Sequence, residues 1–402
     1  MDIKQIKENK LRMVLQFSIP SIIAMLLQTV ITITDGYFTG NYVGDTALAA
    51  INLGLPILYF YLGMGLCVGV GGSVISGRFL GARERQKASE VFSQTMVTAV
   101  MVCVVISFIV FVMFTPILRI LRADGDLSNY FTEYYRLMLF TYPLMVIGTI
   151  LGMFIRVDGK PQVCMLVSII GCILNIVLDY IFVGTMGFGV QGSAVGSLIV
   201  QLVTVHIQIV YFLQTKAGIR FRRFEFDKCI NREIMLNGSS EFIGEMASAI
   251  SMFAFNYVLM KYVGAEGVAA FTILGFVVYG YSMICIGFGQ GISPLISVCW
   301  GAKEAETAID IRKITNRILF VIGFLVAGIF FIAGGKYAEA DPVSGEPGTP
   351  DQDAAGRDFS VSQLSGGYGD GTGQAGSADE EPGADRSYGD SGAADDAVDP
   401  PG

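Results

Sequence analysis

Apolar residues run in blocks of about 20 through the first 334 positions, separated by short polar stretches. Each block is long enough to cross a hydrocarbon core of about 30 Å as an α-helix. Nine such spans are predicted, at 13–35, 49–76, 90–115, 129–155, 163–184, 190–214, 236–261, 268–299 and 315–333. The first is too long for a removable leader and has no small-residue cleavage site after it. The pattern predicts an all-α polytopic membrane protein.

The polar stretches carry an alternating charge. The N-terminus and every second loop after it hold 20 Lys and Arg, whereas the opposite loops hold four: Arg119, Arg122, Lys261 and Lys336. This bias places the N-terminus in the cytoplasm. The overall formal charge of −8 conceals a division. Residues 1–334 have 24 basic and 20 acidic side chains, and residues 335–402 have 3 and 15. The acidic segment is rich in Gly, Asp, Ala and Pro, a composition that cannot bury enough apolar surface to fold, and it reads as a disordered tail or an out-of-frame stretch. Seven scattered cysteines form no CxxC pair and read as small core residues.

The chain also matches itself. At a constant offset of 220, "NYVGDTALAA" (41–50) lies on "KYVGAEGVAA" (261–270), and "GVGGSVISGRFLGARE" (69–84) lies on "GQGISPLISVCWGAKE" (289–304). Between 41 and 88, 14 of 48 residues equal their partner. Two parallel repeats of six spans are one way to build a transporter, with the substrate path between the halves. The boundaries that follow are an N-lobe at 1–214, a basic connector at 215–235, a partial C-lobe of three spans at 236–334 and the tail at 335–402. On this reading the chain stops after about nine of twelve helices.

Polar residues inside the spans carry the chemistry. A carboxylate at mid-span costs about 2.5–3.5 kcal/mol, so it normally faces a bundle interior or a wet cavity. Asn175 and Asp179, in "ILNIVLDYIFVG", are four apart and share one helix face. Gln28 and Asp35 share a face of the first span, with Asp35 near its outer end. Both spans run in the same direction, which puts Asp35 and Asp179 at similar depth. Two carboxylates flanked by amides make an oxygen-rich pocket suited to H⁺ or Na⁺. Filling or emptying such a pocket can favour different packings of the helices around it. Pro20 predicts a kink in the first span.

The strings "IPSIIAMLLQTVITITDGYFTGNYVGDTALAAINLGLPI" (19–57), "GRFLGARE" (77–84), "RVDGKPQ" (156–162) and "LNIVLDYIFVGTMGFGVQGSAVGS" (174–197) together resemble the multidrug and toxic compound extrusion (MATE) transporters. The resemblance runs in order over about residues 10–330. It implies two pseudo-symmetric helical lobes around a central cavity, in a bacterial cytoplasmic membrane, exporting organic and often cationic compounds in exchange for H⁺ or Na⁺. By motif match, Gln28, Asp35, Asn175 and Asp179 align with the family's N-lobe cation site, with Ser197 a weaker match.

Glu241 and Glu245, four apart in the seventh span, make a second acidic site for a proton or a substrate cation. Glu133 and Arg136 in the fourth span are expected to pair. No Walker A loop, HExxH or nucleophile elbow occurs, and no enzyme activity or cofactor beyond the coupling ion is expected. The expected partners are a small organic substrate and membrane lipid, not nucleic acid, and the expected state is a monomer. Two other readings stand beside export: a flippase for lipid-linked oligosaccharides with similar architecture, and a non-functional transporter fragment.

Overall fold

The computed structural model describes residues 3–120, 125–214, 218–262 and 265–340, and among them every regular element is helical. In chain order these are α1 (Ile3–Glu8), α2 (Lys10–Tyr42), α3 (Asp45–Leu53), α4 (Leu55–Gly81), α5 (Arg85–Ile120), α6 (Asp126–Val157), α7 (Pro161–Asp179) with a π-helical turn (Tyr180–Thr185), α8 (Gly189–Leu213), α9 (Lys228–Tyr262), α10 (Ala265–Gly301) and α11 (Ala305–Ala340). Seven are long and apolar enough to cross a membrane: α2, α4, α5, α6, α7 with its π turn, α8 and the 278–301 part of α10. The remaining predicted spans, 236–261 and 315–333, lie on α9 and α11.

Several boundaries differ from the sequence expectation, each for a local reason. α2 continues to Tyr42, so Asp35 lies about two turns inside the helix and not at its outer end. The second predicted span is two helices, α3 and α4, interrupted at Gly54 with Pro56 opening α4. At that break the Tyr135 hydroxyl donates to the Ile51 carbonyl at 2.6 Å. A Cβ on Gly54 would lie 2.0 Å from the Tyr135 ring, so only glycine admits the ring there. α11 runs through 335–340, past the expected start of the tail, and the rest of that tail lies outside the described residues. Glu133 and Arg136 form no ion pair; both are exposed, on α6.

The repeat reappears in the backbone. Arg83 and Lys303, 220 apart, are the two described non-glycine residues with positive φ, at 66° and 61°. In the first turn Glu84 N–H donates to Phe79 O and Arg83 N–H to Leu80 O. In the second, Glu304 N–H donates to Cys299 O and Lys303 N–H to Trp300 O. The four positions in each set are offset by 220, which makes "GARE" and "GAKE" one helix-ending turn used twice.

The same relation governs how the halves meet. A Cβ on Gly81 would sit 2.0 Å from the Val298 carbonyl oxygen, and one on Gly301 would sit 1.9 Å from the Arg78 carbonyl oxygen. Positions 81 and 301, like 78 and 298, are repeat partners, so α4 and α10 cross about a local two-fold. Gly71 and Gly238 bring α4 and α9 equally close, and Gly287 and Gly291 do so for α10 and α2 around Pro20. Small residues permit this backbone approach, the usual means of tight helix association in lipid. Pro20 is buried within α2, between the Gly287 contact at Ile22 and the Gly291 contact at Ser18.

All these contacts gather at the end of the bundle that carries the basic loops. Ion pairs reinforce them there: Lys7–Glu304 at 3.1 Å, Lys10–Asp310 at 2.5 Å and Arg78–Glu233 at 2.7 Å. The Lys10 ammonium holds the exposed Asp310 carboxyl below the usual carboxylate range.

Replacing Gly238 by Ala puts a methyl group 1.7 Å from the Cys67 carbonyl, where backbone must move. Overpacking of this kind costs about 1–3 kcal/mol. The expected outcome is a lower melting temperature in detergent for Gly238→Ala, and no change for Gly244→Ala, whose Cβ meets nothing within 4 Å.

Candidate functional site

Three elements bring the predicted N-lobe residues together. Asp35 projects from α2, and Asn175 and Asp179 from successive turns of α7. The Asn175 Nδ2 donates to Asp35 Oδ1 at 2.9 Å. The Asp35 and Asp179 carboxyls lie within hydrogen-bonding reach of each other. Asp179 is 0% exposed and Asn175 1%, whereas Asp35 retains some exposed surface.

The pocket is short of donors. Neither Asp179 oxygen accepts a hydrogen bond, and Asn175 Oδ1 is also without a donor. The Thr39 hydroxyl, buried one turn beyond Asp35 on α2, also has no partner, and its O–H reaches neither acid. A buried acceptor without a donor costs about 1–3 kcal/mol, and more when charged. Two ionised carboxylates about 4 Å apart repel by about 4 kcal/mol at an effective dielectric constant of 20. The arrangement therefore suits a positive species between the two acids, either a shared proton or a small oxygen-loving cation.

Two expected members stand apart. Gln28 is exposed and forms no side-chain hydrogen bond with the pair. Seven residues keep it on the face of Asp35, but at 1.5 Å per residue they carry it about 10 Å along the axis. Ser197 is half-buried and bonds neither acid. Its neighbour Gly196 is what meets the site: a Cβ there would lie 3.3 Å from Asp179 Oδ1.

Sequence reasoning also missed two neighbours. Tyr134 on α6 lies within electrostatic reach of both acids. The π turn Tyr180–Thr185 begins immediately after Asp179. Such turns are often found at functional sites, because the wider winding frees carbonyls and re-aims side chains. A glycine beside a serine in the 174–197 string was visible, but nothing in it announced a contact with α7.

In the other half, α9 separates its two acids by environment. Glu241 is exposed, while Glu245 is half-buried beside Gly63 of α4. Phe242, between them, packs edge-on against Phe60 at 6.0 Å. Tyr279 of α10 lies within reach of the Glu245 charge and within hydrogen-bonding reach of Thr29 on α2. A carboxylate, an aromatic hydroxyl and Thr29 from both halves thus converge where the halves meet.

With this geometry, the comparisons with known proteins become decisive. The MatE family model matches residues 20–181, which include Asp35, Asn175 and Asp179. The multidrug export protein MepA of Staphylococcus saprophyticus is 27% identical over 338 residues, covering 81% of this chain and 74% of that one. MepA of Staphylococcus aureus is 25% identical over 336 residues. A solved outward-facing MATE transporter superposes with a TM-score of 0.77 at 25% identity, over 82% of this chain and 73% of that one. Over about four-fifths of its length the chain is thus similar to MATE multidrug transporters. A second solved structure, of a transporter from Pyrococcus furiosus described as having a binding pocket of reverse polarity, gives 0.75 at 25% identity over 82% of this chain and 73% of that one.

Replacing Asn175 by Ala removes the donor to Asp35 and leaves the acid pair with no amide beside it. A hydrogen bond to a charged group contributes about 1.5–3 kcal/mol. The expected result is a melting temperature several degrees lower, with Asn175→Gln recovering part of the loss.

Proposed function

We propose that this protein is a cation-coupled exporter of small organic compounds in which Asp35, Asn175 and Asp179 bind the coupling ion. One observation carries the reading: Asp179 is sealed from solvent, with two donorless oxygens facing a second carboxyl. A fixed structural acid would be given donors. An acid that exchanges H⁺ or Na⁺ is better left without fixed donors, and the partly exposed Asp35 offers the way in.

The rest of the mechanism follows from linkage. The ion neutralises the pair and removes the repulsion between α2 and α7. α2 is also the helix clamped to α10 by Gly287 and Gly291, so a change in how it sits against α7 bears on contact between the halves. Ion occupancy and the lobes' relative position then become coupled equilibria, which antiport requires. The lobes, 1–214 and 236 onward, would rock about the glycine crossing. The closed basic end corresponds to a cytoplasm-closed, outward-open state. In that state an organic cation would bind Glu245 and the face of Tyr279, where ring and carboxylate both favour positive charge. The acidity of this region of α9 favours a cation over the phosphate of a lipid-linked sugar.

Vesicles reconstituted with the chain, loaded with a fluorescent lipophilic cation and given a pH or Na⁺ gradient, test the reading. Asp179→Asn is expected to lower gradient-driven efflux at least tenfold with normal membrane insertion. Glu245→Gln is expected to weaken half-saturation by the cation while other cargo still responds to the gradient. Undiminished efflux by Asp179→Asn rejects the proposal.

A further inference from the structure

The connector between the halves has a structure of its own. From 218 to 227 it has no regular secondary structure and is strapped along α5. The Arg220 N–H donates to Ser89 Oγ, the Arg222 N–H to Ser93 Oγ at 2.9 Å, and Gln94 bonds Asp227 through both its amide atoms. Asp158 accepts from the Gly218 and Ile219 N–H groups and from the Tyr211 hydroxyl. Ile219 is fully buried, and Phe221, though 41% exposed, packs its ring on Phe92 at 4.8 Å. Most of the side chains that follow are exposed.

What is exposed there is largely basic. Arg222, Arg223, Lys228 and Arg232 are all exposed, and none forms an ion pair with a described residue. Asp227 is occupied in capping α9 through the Cys229 and Ile230 N–H groups, and Glu233 pairs with Arg78. Of the acids in this run, only Glu225 is left without such a role.

α5 sets the depth of this patch. From Ser89 to Met96 its residues are buried or half-buried. From Val97 the helix exposes apolar side chains continuously, with Val100, Met101, Val104, Val105, Phe108 and Ile109 following at 42–67% exposure. That stripe faces hydrocarbon. Ser93, which holds Arg222, is four residues before Val97, or about 6 Å along the axis. The headgroup zone on each side of a bilayer is about 5–8 Å thick. The connector therefore lies at headgroup depth, and Phe226, 47% exposed, supplies the amphipathic ring common at that level.

We infer that the connector is a docking surface for anionic phospholipid headgroups, with Arg222 and Arg223 as its main contacts. The strap on α5 fixes the backbone, so the guanidinium groups meet the lipid surface without first ordering a loop. Guanidinium is also the side chain best suited to phosphodiester oxygens. The inference does not depend on the coupling ion or on the exported compound.

The test uses the chain's single tryptophan. Trp300→Phe removes it, and Phe226→Trp places a reporter on the connector of the full chain in vesicles. Quenching by brominated phosphatidylglycerol and by brominated phosphatidylcholine gives the relative association of each lipid. The expected preference for phosphatidylglycerol falls about fivefold for each charge removed in Arg222→Gln and Arg223→Gln. It persists in the double Lys variant and weakens in high salt. Equal quenching by the two lipids, no quenching by either, or a preference that survives the double Gln change would each overturn the inference.

Discussion

An ionised carboxylate sealed from water among apolar helices must have a partner, and the partner that Asp179 faces is another carboxyl. The rest of the site is arranged around that constraint. Asn175 spends its one useful donor on Asp35 and leaves its own carbonyl oxygen bare. Gly196 keeps α8 close to Asp179 while adding no polar atom that could satisfy it. Every neighbour fixes the position of the acids, and none of the described hydrogen bonds relieves Asp179. Burial of this kind is costly for an ionised acid and much less so once a positive species neutralises it.

The scaffold allows such a site to report across the molecule. α2 carries Asp35 in its far half and meets α10 through Gly287 and Gly291 in its basic half. One helix therefore touches both the acid pair and the contact between halves. Because those contacts set glycine against backbone, they have few intermediate positions: the helices either nest or separate. Close packing converts small shifts at a site into discrete rearrangements.

How much of this was legible beforehand depended on distance along the chain. Asn175 and Asp179 were readable because helix periodicity alone places them together, and Asp35 because a carboxylate in a greasy span requires an explanation. The 220-residue offset was readable in letters and returned as paired φ angles at Arg83 and Lys303. Gln28 shares a helix face with Asp35, and periodicity alone does not show that the axial rise separates the two by about 10 Å. The break at Gly54 was hidden because hydropathy is blind to a missing Cβ, and its cause, Tyr135, is some 80 residues away. The pairs Lys7–Glu304 and Lys10–Asp310 join positions about 300 apart, and no local pattern announces them.

The two seams that join the halves follow one repeat and yet differ in chemistry. Where α9 meets the N-lobe, the exposed Arg78–Glu233 pair is joined by neutral bonds, Gln94 to Asp227 and Thr98 to Asn231 at 2.8 Å, beneath a strapped connector. The corresponding seam, where α1 and α2 meet α10 and α11, is apolar inside, with Ile6 and Val14 against Leu295 and Ile311. Its rim is held by two ion pairs, Lys7–Glu304 exposed and Lys10–Asp310 partly buried. Exposed pairs contribute at most about 1 kcal/mol each and weaken with salt, whereas buried hydrogen bonds between neutral groups are little screened. Duplication supplied the same turn twice, and divergence gave one seam the connector and its neutral bonds beside a single ion pair, while the rim of the other has two ion pairs and no such strap. Parting the halves at the basic end thus meets unequal resistance, and the seam that yields more readily as ionic strength rises is the one beside α2, the helix that bears Asp35.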